Sequence, residues 1–206
     1  MTVQIGYYYT HISPFAYLGH ERLQSIAEKA GATIQYCPIS LPGLFAETGG
    51  VPLGQRHVAR QNYRFLELQR WREKRDISLK LRPAYFPADP TCCDLVAIGI
   101  AEEGGPVGAF SLRAMRACWS LDRDISDMDV IAGIVEDTGL DPARAIGWVE
   151  SPSIKEIYEK NLEEAIHLQA LGSPAYVLNG EVFWGQDRLE LLADALASGR
   201  DPYGAQ

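Results

Sequence analysis

The chain is short of the features that most quickly assign a function. It has four cysteines, Cys37, Cys92, Cys93 and Cys118, with no CxxC pair and no histidine near them at zinc-ligand spacing. No metal site is expected from that pattern, and the vicinal Cys92-Cys93 pair reads as thiols packed in an apolar helix. No apolar run approaches the ~20 residues of a spanning helix. The opening MTVQIGYYYTHISPF has no basic segment leading into an apolar one, so no secretory signal is visible and the cytoplasm is the expected compartment. Basic residues are outnumbered, 19 Lys and Arg against 27 Asp and Glu, a formal charge of −8. A nucleic-acid or anionic-membrane partner would need the opposite balance. Repeats and low-complexity tracts are missing, and so is the GxSxG elbow of a serine hydrolase.

What is present is ordinary globular composition, 47% hydrophobic and 22% charged, which excludes disorder. A chain of 206 residues buries enough surface to hold a core without disulfide or metal.

Val3 to Tyr9 is rich in β-formers and reads as a strand. After the turn Thr10-His11-Ile12, Ser13 is a natural N-cap, Pro14 fits the first helical position and Gly31 supplies a stop. Between them Phe15, Leu18, Leu23, Ile26, Ala27 and Ala30 recur at helical spacing. Thr33 to Cys37 reads as a second strand ended by Pro38, so the chain opens with a parallel βαβ unit. Pro42-Gly43 and Gly49-Gly50 mark a loop, Gln55 to Arg75 a long charged helix, and Pro83, Pro87 and Pro90 a break before Thr91 starts another helix. Further helices are expected over 106–121, 127–138, 141–149 and 153–171. Ala175 to Leu178 and Glu181 to Trp184 form a hairpin about Asn179-Gly180, and Gln186-Asp187 opens a last helix to Ala197. The order describes an α/β sheet domain, residues 1–40 and 172–206, split by a mainly helical insertion, 41–171.

Two places join special residues to a structural reason for function. At Ser13-Pro14-Phe15-Ala16, a helix N-terminus offers unpaired N–H groups to an anion, and a serine there can add its hydroxyl; the same residues also make a plain cap. At Gly172-Ser173-Pro174, a cis proline would turn the Ser173 backbone outward for an extended ligand, whereas a trans proline would simply end the preceding helix. Gln186-Asp187-Arg188 begins the final helix. Asp187 with Glu190 there resembles a capping box, with a ligand's ammonium and carboxylate as the other reading. His11 invites a serine–base pairing, but no Asp partner is identifiable. His20, His57 and His167 are isolated and expected at the surface. Arg70, Arg72, Lys74 and Arg75 read as a solvated helix face.

SPFAYLG after the first strand, LGSPAYVLNGEVFWGQDRL near the end and the helical block between them resemble the thioredoxin-fold group. More narrowly, they resemble the kappa-class glutathione transferases and 2-hydroxychromene-2-carboxylate isomerases, over roughly residues 3 to 197. The resemblance implies a thioredoxin-like βαβ…ββα sheet domain with an inserted all-helical subdomain. In related thiol oxidases the stretch from Ser13 to Ala16 would be CxxC. With serine and alanine there, dithiol–disulfide exchange is impossible at this position, and the resemblance implies glutathione as the source of the thiol. It implies Ser13 as the catalytic hydroxyl facing the sulfur and Ser173, before cis-Pro174, on the cysteinyl backbone. Gln186, Asp187 and Arg188 would hold the γ-glutamyl end and Arg60 a carboxylate. The pattern departs at Ala46 and Gly50, where many relatives place lysine and asparagine, and Asp89 stands where asparagine is frequent. Phe15, Tyr63, Tyr85 and Asp89 are the candidates for an aromatic substrate. The implied activity is cis–trans isomerisation by reversible thiolate addition, with transferase or peroxidase, or glutathione binding alone, as alternatives. The implied assembly is a homodimer.

Overall fold

A computed structural model describes residues 2–204. Strand β1 (Gln4–Tyr9) pairs in parallel with β2 (Thr33–Pro38) and antiparallel with β3 (Ala175–Leu178), which pairs antiparallel with β4 (Glu181–Trp184). The sheet order is β2-β1-β3-β4. Helix α1 (Pro14–Ala30) makes the crossover between the parallel pair. Its ends are local chemistry: Ser13 holds extended backbone and caps the first turn, and Gly31 closes the last with φ 62°. Asn179 and Gly180, with φ 51° and 85°, turn the β3–β4 hairpin as their sequence predicts.

Alternation along β1 decides what covers the sheet. Tyr7 and Tyr9 point into the main apolar cluster, and Tyr8, between them, points into a second one. The main cluster runs without a break from Ile5, Leu18 and Leu23 to Val96, Phe110 and Trp119, so sheet and helical block share one core. The opposite face is closed by α2 (Leu41–Thr48) and α8 (Pro152–His167) through Leu44 and Ala165. Between these lie α3 (Val58–Arg75), α4 (Thr91–Glu102), α5 (Val107–Trp119), α6 (Met128–Glu136) and α7 (Arg144–Glu150); α9 (Leu189–Ser198) follows the sheet. Among the described residues no helix is long and apolar enough to cross a membrane.

Four expectations are corrected. The Pro42-Gly43 to Gly49-Gly50 stretch is largely helix α2: Ser40 accepts from the Gly43 N–H at 3.3 Å, Pro42 sits in the first turn and Gly49 ends it with φ 74°. Helix α8 stops at His167, four residues early, and Gln169 takes φ 57°. Gln186–Arg188 is a 3-10 turn, and no capping box forms at α9, because Glu190 is instead held by Arg22 at 2.6 and 3.0 Å. His20 is buried, its ring against Tyr7 and its Nε2 2.9 Å from the Gly108 carbonyl.

Candidate active site

Three of the residues singled out from the sequence meet at the C-terminal end of β1. Ser13 is 5% exposed. Its Oγ accepts from the Ala16 N–H at 3.2 Å and donates to the Ser173 carbonyl at 2.9 Å. The Ser173–Pro174 bond is cis. The Ser173 hydroxyl in turn accepts from the Thr10 N–H at 3.1 Å. The cap and the meeting with Ser173 are therefore one arrangement, made across 160 residues of chain.

The first turn of α1 keeps one donor free. Pro14 has no N–H, the Ala16 N–H goes to Ser13 Oγ and the Tyr17 N–H to the Ser13 carbonyl at 3.1 Å. That leaves the Phe15 N–H without an acceptor among the described residues. An anion beside this end would meet the Phe15 N–H, the Ser13 hydroxyl and the positive end of the helix.

Beneath the turn lies a polar cluster that sequence reasoning missed. Asp94, on α4, is fully buried and accepts from the His11 N–H at 3.1 Å, the Thr10 hydroxyl at 2.9 Å and the Tyr158 hydroxyl at 3.3 Å. His11 Nδ1 lies 2.5 Å from the same carboxylate, and its Nε2 3.1 Å from Ser111 Oγ. Ser111 has the partners of a hydrolytic serine, but it is fully buried and shares its oxygen with Tyr9 at 2.7 Å. The cluster fastens the turn that carries Ser13 to the helical block. Its only trace in the sequence is a lone Asp in an apolar helix, where a buried carboxylate demands partners.

No cysteine offers a thiolate. Burial pushes Cys37 and Cys118 up to about 12, raises Cys93 well above its ordinary value and raises Cys92 as well. All four are free thiols, and Cys92, expected to be buried, is only half-buried.

The remaining candidates are dispersed. Gln186 is buried, and Arg75 takes its side-chain oxygen at 3.2 and 3.3 Å, so the amide faces inward. Asp187 and Arg188 are exposed and pair with each other at 2.7 Å. Arg60 and Tyr63 are exposed on α3, Tyr85 is exposed in the proline-rich loop, and Phe15 is half-buried in the first turn of α1. Asp89 is occupied locally, accepting from the Thr91 N–H at 2.9 Å and its hydroxyl at 2.6 Å. Among the described residues no hydrogen bond joins any of them to Ser13. A Cβ at Gly50 would collide with the Phe45 ring, which excludes an asparagine there unless that ring moves.

With this geometry in hand, comparison places the chain among known proteins. A family model described as a DSBA-like thioredoxin domain matches residues 4–197. A 2-hydroxychromene-2-carboxylate isomerase of Sphingobium xenophagum is 30% identical over 197 residues, 95% of this chain and 99% of that one. Glutathione S-transferase kappa 1 of Homo sapiens is 25% identical over 214 residues, covering 92% of this chain and 88% of that one. A solved structure of a 2-hydroxychromene-2-carboxylate isomerase superposes with a TM-score of 0.82 at 25% identity, covering 95% of each chain.

Proposed function

The chain belongs to the DsbA-like thioredoxin domain family, with 2-hydroxychromene-2-carboxylate isomerases and kappa-class glutathione transferases among its relatives, and on that premise we propose that it is a glutathione-dependent isomerase of the 2-hydroxychromene-2-carboxylate type. The observation that carries the reading is Ser13: a serine stands at the α1 terminus, 2.9 Å from the carbonyl before the cis proline, and no cysteine accompanies it. Burial raises the pKa of all four protein thiols and none stands at the α1 terminus, which favours a sulfur nucleophile supplied by a ligand. Glutathione, when bound, supplies a thiol that adds to the conjugated substrate and leaves it again without redox change.

The chain's part is to hold that sulfur as an anion. Each pKa unit of depression requires ~1.4 kcal/mol of preferential stabilisation. A helix N-terminus contributes roughly 0.3–2 kcal/mol and a hydrogen bond to a charged group roughly 1.5–3 kcal/mol. Together the Phe15 N–H, the helix end and the Ser13 hydroxyl suffice for one to two units, about 1.4–2.8 kcal/mol, even after Ser13 releases the Ser173 carbonyl. Ser173 offers the cysteinyl backbone its edge. Asp187 and Arg188 can reach the γ-glutamyl end once their mutual pair opens, whereas Gln186 acts through Arg75 as support for that turn. Arg60 serves a carboxylate, and Phe15, Tyr63, Tyr85 and Asp89 border the aromatic substrate. A cytoplasmic homodimer belongs to the same proposal.

The test is a reaction with 2-hydroxychromene-2-carboxylate and glutathione well below the substrate concentration, followed by absorbance. Full conversion with glutathione recovered is expected. Conversion that halts when glutathione is used up, with a conjugate formed, would instead support the transferase. No glutathione dependence at all would overturn both.

A further inference from the structure

Arg64, in the second turn of α3, is a half-buried cation with no hydrogen bond or ion pair among the described residues. Its guanidinium lies 5.4 Å from the Phe86 ring centroid and 5.8 Å from that of Trp119, whose rings are 4.9 Å apart. Trp119 is fully buried, and its indole N–H has no acceptor among the described residues. A guanidinium and an indole N–H only donate. One corner of the protein thus carries donors of two kinds, the indole N–H fully and the guanidinium partly withdrawn from water, neither answered among the described residues, at a cost that an incoming acceptor would remove.

The surroundings favour an anion. Residues 48–66 contain Arg56, Arg60 and Arg64 and no Asp or Glu, in a chain of net charge −8. Spacing by four puts Arg60 and Arg64 on one helix face, an arrangement that destabilises an isolated helix. Burial, and then the charge of Arg56, push Arg64 down to about 10, so it remains a cation at neutral pH. Arg56 is itself steadied by the Val51 carbonyl at 2.6 Å and lies over Phe45.

The corner also adjoins the proposed site. The Trp119 carbonyl accepts from the Lys80 N–H at 2.7 Å, Ser120 bonds Ser78 at 3.0 Å, and the Tyr17 hydroxyl donates to the Ser78 carbonyl at 3.2 Å. This chain of contacts ties the Trp119 end of α5 to α1 one turn beyond Ser13.

We propose that Arg64 and the Trp119 indole N–H bind the carboxylate of an aromatic acid, with Phe86 against its ring and Arg56 and Arg60 drawing the anion in. The two rings flanking the guanidinium select an aryl acid over the carboxylates of a tripeptide that has no ring. That the acid is the substrate rests on the isomerase reading; that the corner binds it does not.

The probe is 2-hydroxycinnamate, with its carboxamide as the uncharged control. Both are titrated calorimetrically into the full chain and into Arg64→Gln, while the Trp119 indole resonance, assigned with Trp119→Phe, is followed by nitrogen-edited NMR. The acid is expected to bind Arg64→Gln about tenfold or more weakly, the carboxamide to show no such difference, and the Trp119 N–H proton to move downfield with the acid alone. Equal affinity of the acid for both proteins, or an unmoved Trp119 resonance, overturns the proposal. Should Arg64→Gln not fold, Arg64→Lys replaces it, with weaker acid binding again required. Glutathione, titrated separately, should bind wild type and variant alike. Selective loss of glutathione in the variant overturns the proposal, whereas glutathione bound by neither, with acid binding intact, sinks the isomerase reading and leaves this site standing.

Discussion

At the β1–α1 turn, Ser13, Ser173, Thr10 and His11 each meet a partner at 2.5–3.2 Å, whereas where α3 meets the end of α5 the Arg64 guanidinium and the Trp119 N–H meet no acceptor among the described residues. Both places bury polar groups beside the same core. In the first, the protein supplies the partners itself, which holds the proposed reactive position in one geometry before any ligand arrives. In the second, it leaves them out, which lowers stability until a ligand supplies them. A polar group that is fully answered positions; one left unanswered binds.

The sharpest way to break this contrast is to remove the carboxylate that satisfies the turn. Asp94→Ala strips partners from His11, Thr10 and Tyr158 at once and should destabilise by ~3–5 kcal/mol in urea unfolding. A loss below ~1 kcal/mol would mean that the cluster is solvated rather than buried.

Ser13→Ala separates catalysis from capping. Turnover should fall ~100-fold or more, a transition-state loss of at least ~2.7 kcal/mol, while stability falls only ~1 kcal/mol, the worth of the cap. Full activity with that small stability loss would remove Ser13 from the chemistry.

His20 extends the contrast to pH. Burial lowers its pKa to about 4 from an ordinary 6.5, so the fold keeps it neutral. Above 6.5 folded and unfolded chains bind the same number of protons there; as pH falls from 6.5 toward 4, only the unfolded chain takes one up, and stability is lost. Between pH 6.5 and 5 the contribution is ~1.5 kcal/mol, and His20→Gln should flatten the stability profile by about that amount in parallel denaturation curves.

The smallest effect has the opposite sign. Arg60→Gln relieves like-charge repulsion along α3 and should raise stability by ~0.2–0.5 kcal/mol, the scale of one helical pair, while weakening anion binding.

How much of this was legible in the sequence follows from how local each cause is. Helix α1 and the β3–β4 hairpin were readable because Ser13, Pro14, Gly31, Asn179 and Gly180 act within a few residues of themselves. Helix α2 was not, because Pro42 and Gly49 serve equally as loop residues and as the first turn and stop of a short helix, and only packing against α8 decides. Resemblance assigns Ser13 and Ser173 to one ligand, but their direct hydrogen bond, 160 residues apart in the chain, has no trace in the spacing. Asp94 could not be paired with His11 in advance, being 83 residues away. Gln186 is a ligand contact by resemblance alone, and its hydrogen bond from Arg75, 111 residues upstream, has no local signal in the sequence. The Trp119 N–H is conspicuous only for what fails to reach it, and no sequence pattern records that.

The central claim is that the α1 terminus and the Ser13 hydroxyl hold a borrowed sulfur as an anion. The most direct measurement is the pKa of the glutathione thiol in the complex, from ultraviolet thiolate absorbance across a pH series. From a free-thiol value of about 8.5 it should fall by about one to two units with the wild-type chain, and by distinctly less with Ser13→Ala. A thiol that titrates in the complex as it does in water, or one lowered equally with and without the hydroxyl, would contradict the account.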